Sequence, residues 1–208
     1  ASLPGDAKKK ENYKNVAERP TGTVVNKFTK KMETPKAIAR MYWYSTTAPY
    51  TLENSILASA AGQVLSKLYL QKIREEAGAA YSAGAAGSVQ MIGDRVFTTL
   101  LGHCPMKPEM ADEAIKIMRE EVVAISKSVD EATLNEIKAV MLKDADAAVK
   151  ENSHWLGVYN MYVSRGIDTE TDYKSIVKSL TPAKVAAFVK NVILKAGNNV
   201  EVIMLPEK

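Results

Sequence analysis

Residues 72–82 read KIREEAGAAYS and mark the point at which a long amphipathic segment gives way to small residues. The segment before them, 53–76, carries apolar side chains at the three- and four-residue intervals of a helix that packs on a core. The pattern predicts that this helix carries Arg74 in its last turn and that Tyr81 opens a strand over residues 80–90. The small residues of that strand would let another backbone or a ligand approach closely.

Arg74 and Tyr81 stand seven residues apart and bring a guanidinium and a phenol to the same end of the predicted helix. Both groups donate hydrogen bonds without losing a proton, so the pair could converge on one oxyanion. A purely structural interpretation is also open, in which Arg74 caps the last carbonyl groups of its helix and Tyr81 packs at the start of the strand. The pattern alone is compatible with both interpretations.

The same arrangement occurs in a known family. The order Arg-Glu-Glu-x-Gly-x-x-Tyr-Ser at the end of a long helix resembles the substrate-binding Arg and Tyr motif in the C-terminal half of the pitrilysin and insulin-degrading enzyme family of zinc peptidases, the inverzincins. Residues 150–156, KENSHWL, are similar to the family's Glu-Asn-x-x-Trp-Leu segment, and residues 180–206 are similar to its closing helix and strand. The likeness covers residues 20–208 and is greatest to the last domain of the large bacterial members, which have four similar domains.

The resemblance implies a function for the chain. In the family, the Arg and Tyr of the second half of the molecule hydrogen-bond the scissile carbonyl, which implies the same role for Arg74 and Tyr81 here. The chain is then expected to be the substrate-binding domain of a zinc metalloendopeptidase that degrades peptides. The alternative is a non-catalytic structural or peptide-recognition subunit with the same fold. The resemblance also implies export to the periplasm, because the large bacterial relatives are generally exported there.

The zinc site of the family has no counterpart in this sequence. The family binds zinc through an inverted H-x-x-E-H helix, whereas this chain has only His103 and His154, with no second histidine near either. We therefore expect the zinc and the general base to lie in a preceding domain or a partner subunit. Alone, the chain is predicted to bind no zinc and to cleave no peptide.

Composition limits the other classes of function. The 208 residues and the 46% hydrophobic content suit one globular domain, predicted over residues 21–208, with residues 1–20 as a linker from a preceding domain. The net charge of +4 comes from the N-terminal part, where no aromatic residues alternate with the lysines, so we expect no nucleic-acid partner. Cys104 is the single cysteine, which excludes a disulfide framework, and no apolar stretch is long enough to predict a membrane span.

Strand and helix signals alternate in a particular order. β-Branched and aromatic residues predict two strands before the long helix, and two more follow it, joined by a turn at Gly93 and Asp94. Several amphipathic helices come next, one of them with Asp130 as its N-cap, and a last strand covers 200–205. This order predicts an α+β fold in which helices pack on one face of a mainly antiparallel sheet.

Three other groups of residues carry weaker signals. Glu75 and Glu76 point about 100° apart on a helix and are interpreted as solvated side chains rather than as a catalytic pair. His103 and Cys104 would face opposite sides of a strand, which argues against a Cys/His nucleophile. The segment with His154 is interpreted as packing, with Trp155 and Leu156 in the core or between domains, and a role near the substrate is the alternative.

Overall fold

A five-stranded sheet organises residues 18–207, the part of the chain that the computed structural model describes. The strands lie in the order β1-β5-β2-β4-β3, and every neighbouring pair is antiparallel except β1 and β5. Their bounds are β1 Thr23–Lys30, β2 Ala37–Ser45, β3 Gly84–Ile92, β4 Arg95–Met106 and β5 Asn198–Pro206. The predicted α+β class with a mainly antiparallel sheet is confirmed. Most of the predicted linker, and the basic residues 8–10, lie outside the described residues.

Six α-helices accompany the sheet in the described part of the chain. They are α1 Leu52–Tyr69, α2 Ala111–Ile125, α3 Glu131–Ala148, α4 Asn152–Arg165, α5 Tyr173–Ser179 and α6 Pro182–Phe188. Two of them continue without a break into π-helical turns, α1 through Leu70–Glu76 and α6 through Val189–Leu194. The predicted N-cap of α3 is confirmed, since the Asp130 carboxylate accepts a hydrogen bond of 2.7 Å from the Thr133 backbone N–H.

The sheet has one thoroughly buried face. Alternate residues of β2 and β4, such as Met41, Leu100 and Cys104, are completely buried, because α1 and α2 cover that side. A Cβ atom added at Gly102 would meet side chains from both helices. The residues between them in sequence point to the opposite face and are mostly only partly buried. We call this opposite side the open face.

Helix α1 and strand β3 approach each other at backbone distance. A Cβ atom at Gly87 would lie 1.7 Å from the Ala58 carbonyl oxygen, and one at Gly62 would lie 2.1 Å from the Gly87 nitrogen. The small residues of β3 therefore admit another backbone, as predicted, and this backbone is that of the chain's own long helix. The contact fixes the helix that leads to Arg74 against the strand that follows Tyr81.

The predicted start of β3 is wrong. The strand begins at Gly84, and Tyr81 lies in the turn before it. The turn is held by the backbone, because the Ala79 N–H donates to the Ile73 carbonyl at 2.9 Å and the Ala79 carbonyl accepts from the Lys107 N–H at 3.0 Å. Residues that use their backbone groups in this way cannot also pair with β4.

Candidate functional site

Arg74 lies on the π-helical turn that ends the long helix. The Ala77 N–H donates to the Lys72 carbonyl at 3.0 Å, five residues back, and Gly78 then leaves the helix with φ of +61°. Gly78 suits this position because a left-handed backbone is costly for other residues. Isolated π-turns are frequent at functional sites. The turn and the glycine direct the chain back towards the helix end, so that Tyr81 reaches Arg74.

The two predicted site residues are neighbours in space. The guanidinium carbon of Arg74 lies 5.3 Å from the centre of the Tyr81 ring, which is within the range of a cation–π interaction. Tyr81 is 87% exposed and Arg74 is exposed as well. Neither side chain forms a hydrogen bond or an ion pair with another described residue, so Arg74 does not cap its helix by hydrogen bonding and Tyr81 is not packed at a strand start. The donors of both groups are available to a ligand.

A wide, open cleft of about 800 Å³ adjoins Tyr81 at the end of the sheet where β2 begins and β4 ends. Its walls include Pro105 and two cationic side chains, Lys36 and Lys107, with Glu109 as its one acidic residue among those described. The cleft therefore offers an elongated ligand a positively charged path past the phenol.

A second, smaller pocket of about 400 Å³ lies on the open face of the sheet. Tyr42, Leu101 and Val200 form part of its apolar wall. Arg19 borders the pocket, with its guanidinium carbon 4.2 Å from the centre of the Phe97 ring, and donates to the Thr99 hydroxyl at 3.0 Å. This pocket combines an apolar wall with one fixed positive charge.

His103 and Cys104 lie on opposite faces of β4, as predicted. The Cys104 thiol is completely buried on the helical side, where burial raises its pKa to about 12. His103 is partly buried on the open face, where its Nδ1 accepts a hydrogen bond of 3.4 Å from the Arg40 Nε. Burial and the charge of Arg40 both lower the pKa of His103. A thiol that is protonated at neutral pH and separated from the imidazole is no nucleophile.

The interpretation of Trp155 and Leu156 as core residues is wrong. Trp155 is 48% exposed and Leu156 is 70% exposed, and no residue of α4 is buried. The Trp155 indole N–H donates to the Val149 carbonyl at 2.8 Å, and His154 contacts the Glu170 carboxylate at 2.9 Å. Packing of this helix against another domain remains a prediction. Glu75 and Glu76 are exposed, in agreement with their interpretation as solvated side chains.

The sequence analysis missed the cationic residues that share the open face and the cleft. Lys36 and Arg40 lie at the start of β2 and Lys107 follows β4, and only the pairing of β2 with β4 brings the two segments to one region. The available signal was the alternation along β2, where Arg40 is the one charged residue. Among residues 18–207, no group of three or more His, Cys, Asp or Glu side chains could hold a metal ion. The helices of the same residues include none with the length and apolar character needed to cross a bilayer.

Comparisons with known proteins identify a family to which the chain is similar. The family model of the peptidase M16 inactive domain matches residues 1–141. Three similar solved structures are the periplasmic protease PqqL from Escherichia coli (TM-score 0.74, 22% identity), a mutant of the ferredoxin protease FusC in complex with Arabidopsis ferredoxin (0.69, 18%) and pitrilysin (0.57, 13%). They cover 88%, 91% and 91% of this chain, which spans only 21%, 21% and 20% of theirs. At these identities the likeness shows the fold. No curated protein matches the chain.

Proposed function

Because the chain belongs to the family of peptidase M16 inactive domains, we propose that it is the substrate-binding, non-zinc domain of a zinc endopeptidase. In this proposal Arg74 and Tyr81 bind the carbonyl oxygen of the scissile peptide bond. The observation that carries it is the contact between the two side chains at an open cleft, with the guanidinium and phenol donors unused by the rest of the described chain.

Hydrolysis of an amide passes through a tetrahedral oxyanion, and donors that already point at it lower the barrier. One such donor contributes about 3 kcal/mol in a site shielded from water. The Tyr81 phenol donates one hydrogen bond and the Arg74 guanidinium can donate two in parallel, while the positive charge of Arg74 attracts the oxyanion directly. Both side chains are exposed here, so this role requires another domain to cover the cleft and exclude water.

The attacking water and the metal belong outside this chain. A zinc ion held by another domain of the same polypeptide, or by a partner subunit, would supply a bound water of lowered pKa. The chain itself orients the substrate and stabilises the negative charge that develops. Support for such a partner comes from the similar structures, since this chain spans about a fifth of PqqL, FusC and pitrilysin. We also propose a periplasmic location, on the analogy of PqqL.

The test is turnover of a fluorogenic peptide by the assembled peptidase with Tyr81→Phe. We expect kcat to fall about a hundredfold, because a lost oxyanion donor costs about 3 kcal/mol, while KM changes little. Tyr162→Phe is the matched control, since it removes a phenol hydroxyl from an exposed tyrosine of α4 and should leave kcat unchanged. Unchanged kcat in Tyr81→Phe would exclude Tyr81 from the reaction.

The rival function, a structural or peptide-recognition subunit, makes a different prediction for the same material. The purified complex would contain no zinc, would not cleave peptide, and would be indifferent to the Tyr81 hydroxyl. Zinc content and turnover of the complex therefore distinguish the two functions before any variant is made.

A further inference from the structure

The strand residues on the open face of the sheet carry charge of one sign. The strand register places the even-numbered residues of β1, β2, β3 and β5 and the odd-numbered residues of β4 on this face. None of these residues is Asp or Glu, whereas Lys30, Arg40 and Arg95 are among them. Arg19 adds a further positive charge from the segment that crosses the face beside Phe97. The strands themselves therefore contribute no carboxylate to this face.

The open face is also apolar. The row of residues across the strands at Val24 contains Val200, Tyr42 and Leu101, and three of these line the pocket of about 400 Å³. The outer face of an antiparallel sheet is usually polar because it contacts water. A face with apolar rows, whose charged strand residues are all positive, suits a partner that brings both apolar and acidic side chains.

Two cations of the face, Arg40 and Lys30, lie towards the end that holds Tyr81, whereas Arg95 lies at the opposite end. The Arg40 guanidinium lies beside His103 in the row next to the pocket, and Lys30 lies further towards that end, opposite Pro206. The cleft at Tyr81 adds Lys36 and Lys107. An extended peptide that places a carbonyl at Tyr81 and an apolar side chain in the pocket would pass Arg40 on the way.

We propose that the open face selects acidic peptides as the substrates of the proposed function. Arg40 and Lys30 pair with the carboxylates of the peptide, and the pocket of about 400 Å³ beside Tyr42 binds an apolar side chain. The inference rests on the proposed function, because it concerns the same cleft. The apolar rows favour a peptide over a nucleic acid, whose backbone would require more positive charges along one path.

The test is binding of three fluorescent peptides to the 208-residue chain, measured by anisotropy. The peptides share their apolar residues and differ only in carrying glutamate, glutamine or lysine at the same positions. An exposed ion pair changes an equilibrium by up to about fivefold, so two pairs predict about tenfold tighter binding of the glutamate peptide than of the glutamine peptide. The lysine peptide should bind most weakly, and the differences should largely vanish at about 1 M NaCl, where the screening length is about 3 Å.

Two double variants locate the effect. Lys30→Gln with Arg40→Gln should abolish the tenfold preference, whereas Lys143→Gln with Lys190→Gln removes the same charge from exposed helical positions and should preserve it. Equal binding of the glutamate and glutamine peptides to the unaltered chain would overturn the inference. So would an equal loss in both double variants, no binding of any peptide, or tighter binding of a single-stranded oligonucleotide than of the glutamate peptide. None of these outcomes bears on the turnover of Tyr81→Phe, which tests the proposed function separately.

Discussion

Replacing Gly87 with alanine tests the contact that holds the two halves of the candidate site together. The new Cβ atom would lie 1.7 Å from the Ala58 carbonyl oxygen and 2.5 Å from its carbon, distances far below van der Waals contact. Both obstacles are backbone atoms in the interior of α1, so no side chain can rotate away. Relief requires α1 and β3 to separate by more than about 1 Å, which opens the packed layer around Gly62 as well.

The expected cost is at the upper end of the range for overpacking. Adding a methyl group to a well-packed interior costs about 1–3 kcal/mol, and a clash with backbone leaves least room for relaxation, so we expect about 3 kcal/mol or more. In a domain of about 200 residues each kcal/mol lowers Tm by roughly 2–4 °C, which predicts a fall of roughly 6–12 °C. Under the proposed function, turnover of the assembled peptidase should fall too, since α1 leads to Arg74 and β3 follows Tyr81.

Urea and thermal unfolding followed by circular dichroism measure this cost. Gly157→Ala is the matched control, because Gly157 lies inside α4 and an added Cβ atom would meet nothing within 4 Å. Alanine should stabilise that helix by up to about 1 kcal/mol relative to glycine. If Gly87→Ala unfolds within about 0.5 kcal/mol of the unaltered chain, the backbone contact between α1 and β3 is not as close as the structure has it.

The remaining predictions concern stability and reactivity. Gly78→Ala should cost about 1 kcal/mol in urea unfolding, because φ is +61° and nothing lies within 4 Å of the added Cβ atom. The Cys104 thiol should resist alkylation at about pH 8 until the chain is unfolded, since burial raises its pKa to about 12 from about 8.5 in an unfolded chain. The folded state then binds the extra proton between these two values, so this group makes stability fall as pH rises from about 8.5 to about 12, as chemical denaturation over that range would show. Arg119→Met should cost about 3 kcal/mol near neutral pH, because it removes the charged partner at 2.5 Å from the buried Glu201 carboxylate and leaves it only the hydrogen bond from the Asn199 amide. The hydrogen bond to Arg119 lowers the pKa of Glu201, so the loss should shrink as pH falls through that pKa. Leu156→Ser should leave Tm unchanged, because Leu156 is 70% exposed in the chain alone.

Local patterns predicted the elements of this fold more closely than their arrangement. The long helix, the turn at Gly93 and the N-cap at Asp130 depend on neighbouring residues, and the structure has all three. The position of β5 between β1 and β2, parallel to one and antiparallel to the other, depends on pairing between residues more than 150 positions apart. The periodicity of a strand indicates which of its residues are buried but not which strand it pairs with, so the strand order was not predicted.

The errors at the site have physical causes of the same kind. The run of small residues after Gly78 has the composition of a strand, but the backbone groups of Ala79 are already committed to Ile73 and Lys107, so β3 begins only at Gly84. Trp155 belongs to a segment whose residues are apolar enough for a core, yet α4 has none of them buried. Side-chain type reports a tendency to be buried, and only the fold decides whether a partner surface is present.

The contact between Arg74 and Tyr81 contributes little to the stability of the fold, although both side chains are exposed to water. A cation–π contact at an exposed site contributes about 0.5–1 kcal/mol. The Tyr81 ring is 87% exposed, so an alanine or a leucine at this position would expose less aromatic surface to water. In the proposed function, a donor held ready for an oxyanion contributes about 3 kcal/mol in the transition state of the assembled peptidase. In the proposed function, the open donors, the glycine turn and the π-helical end contribute most in a site that another domain covers. If the pair served the fold alone, Arg74→Ala with Tyr81→Ala would lower the free energy of unfolding by more than the roughly 0.5–1 kcal/mol of the cation–π contact. Urea unfolding of this double variant measures the loss.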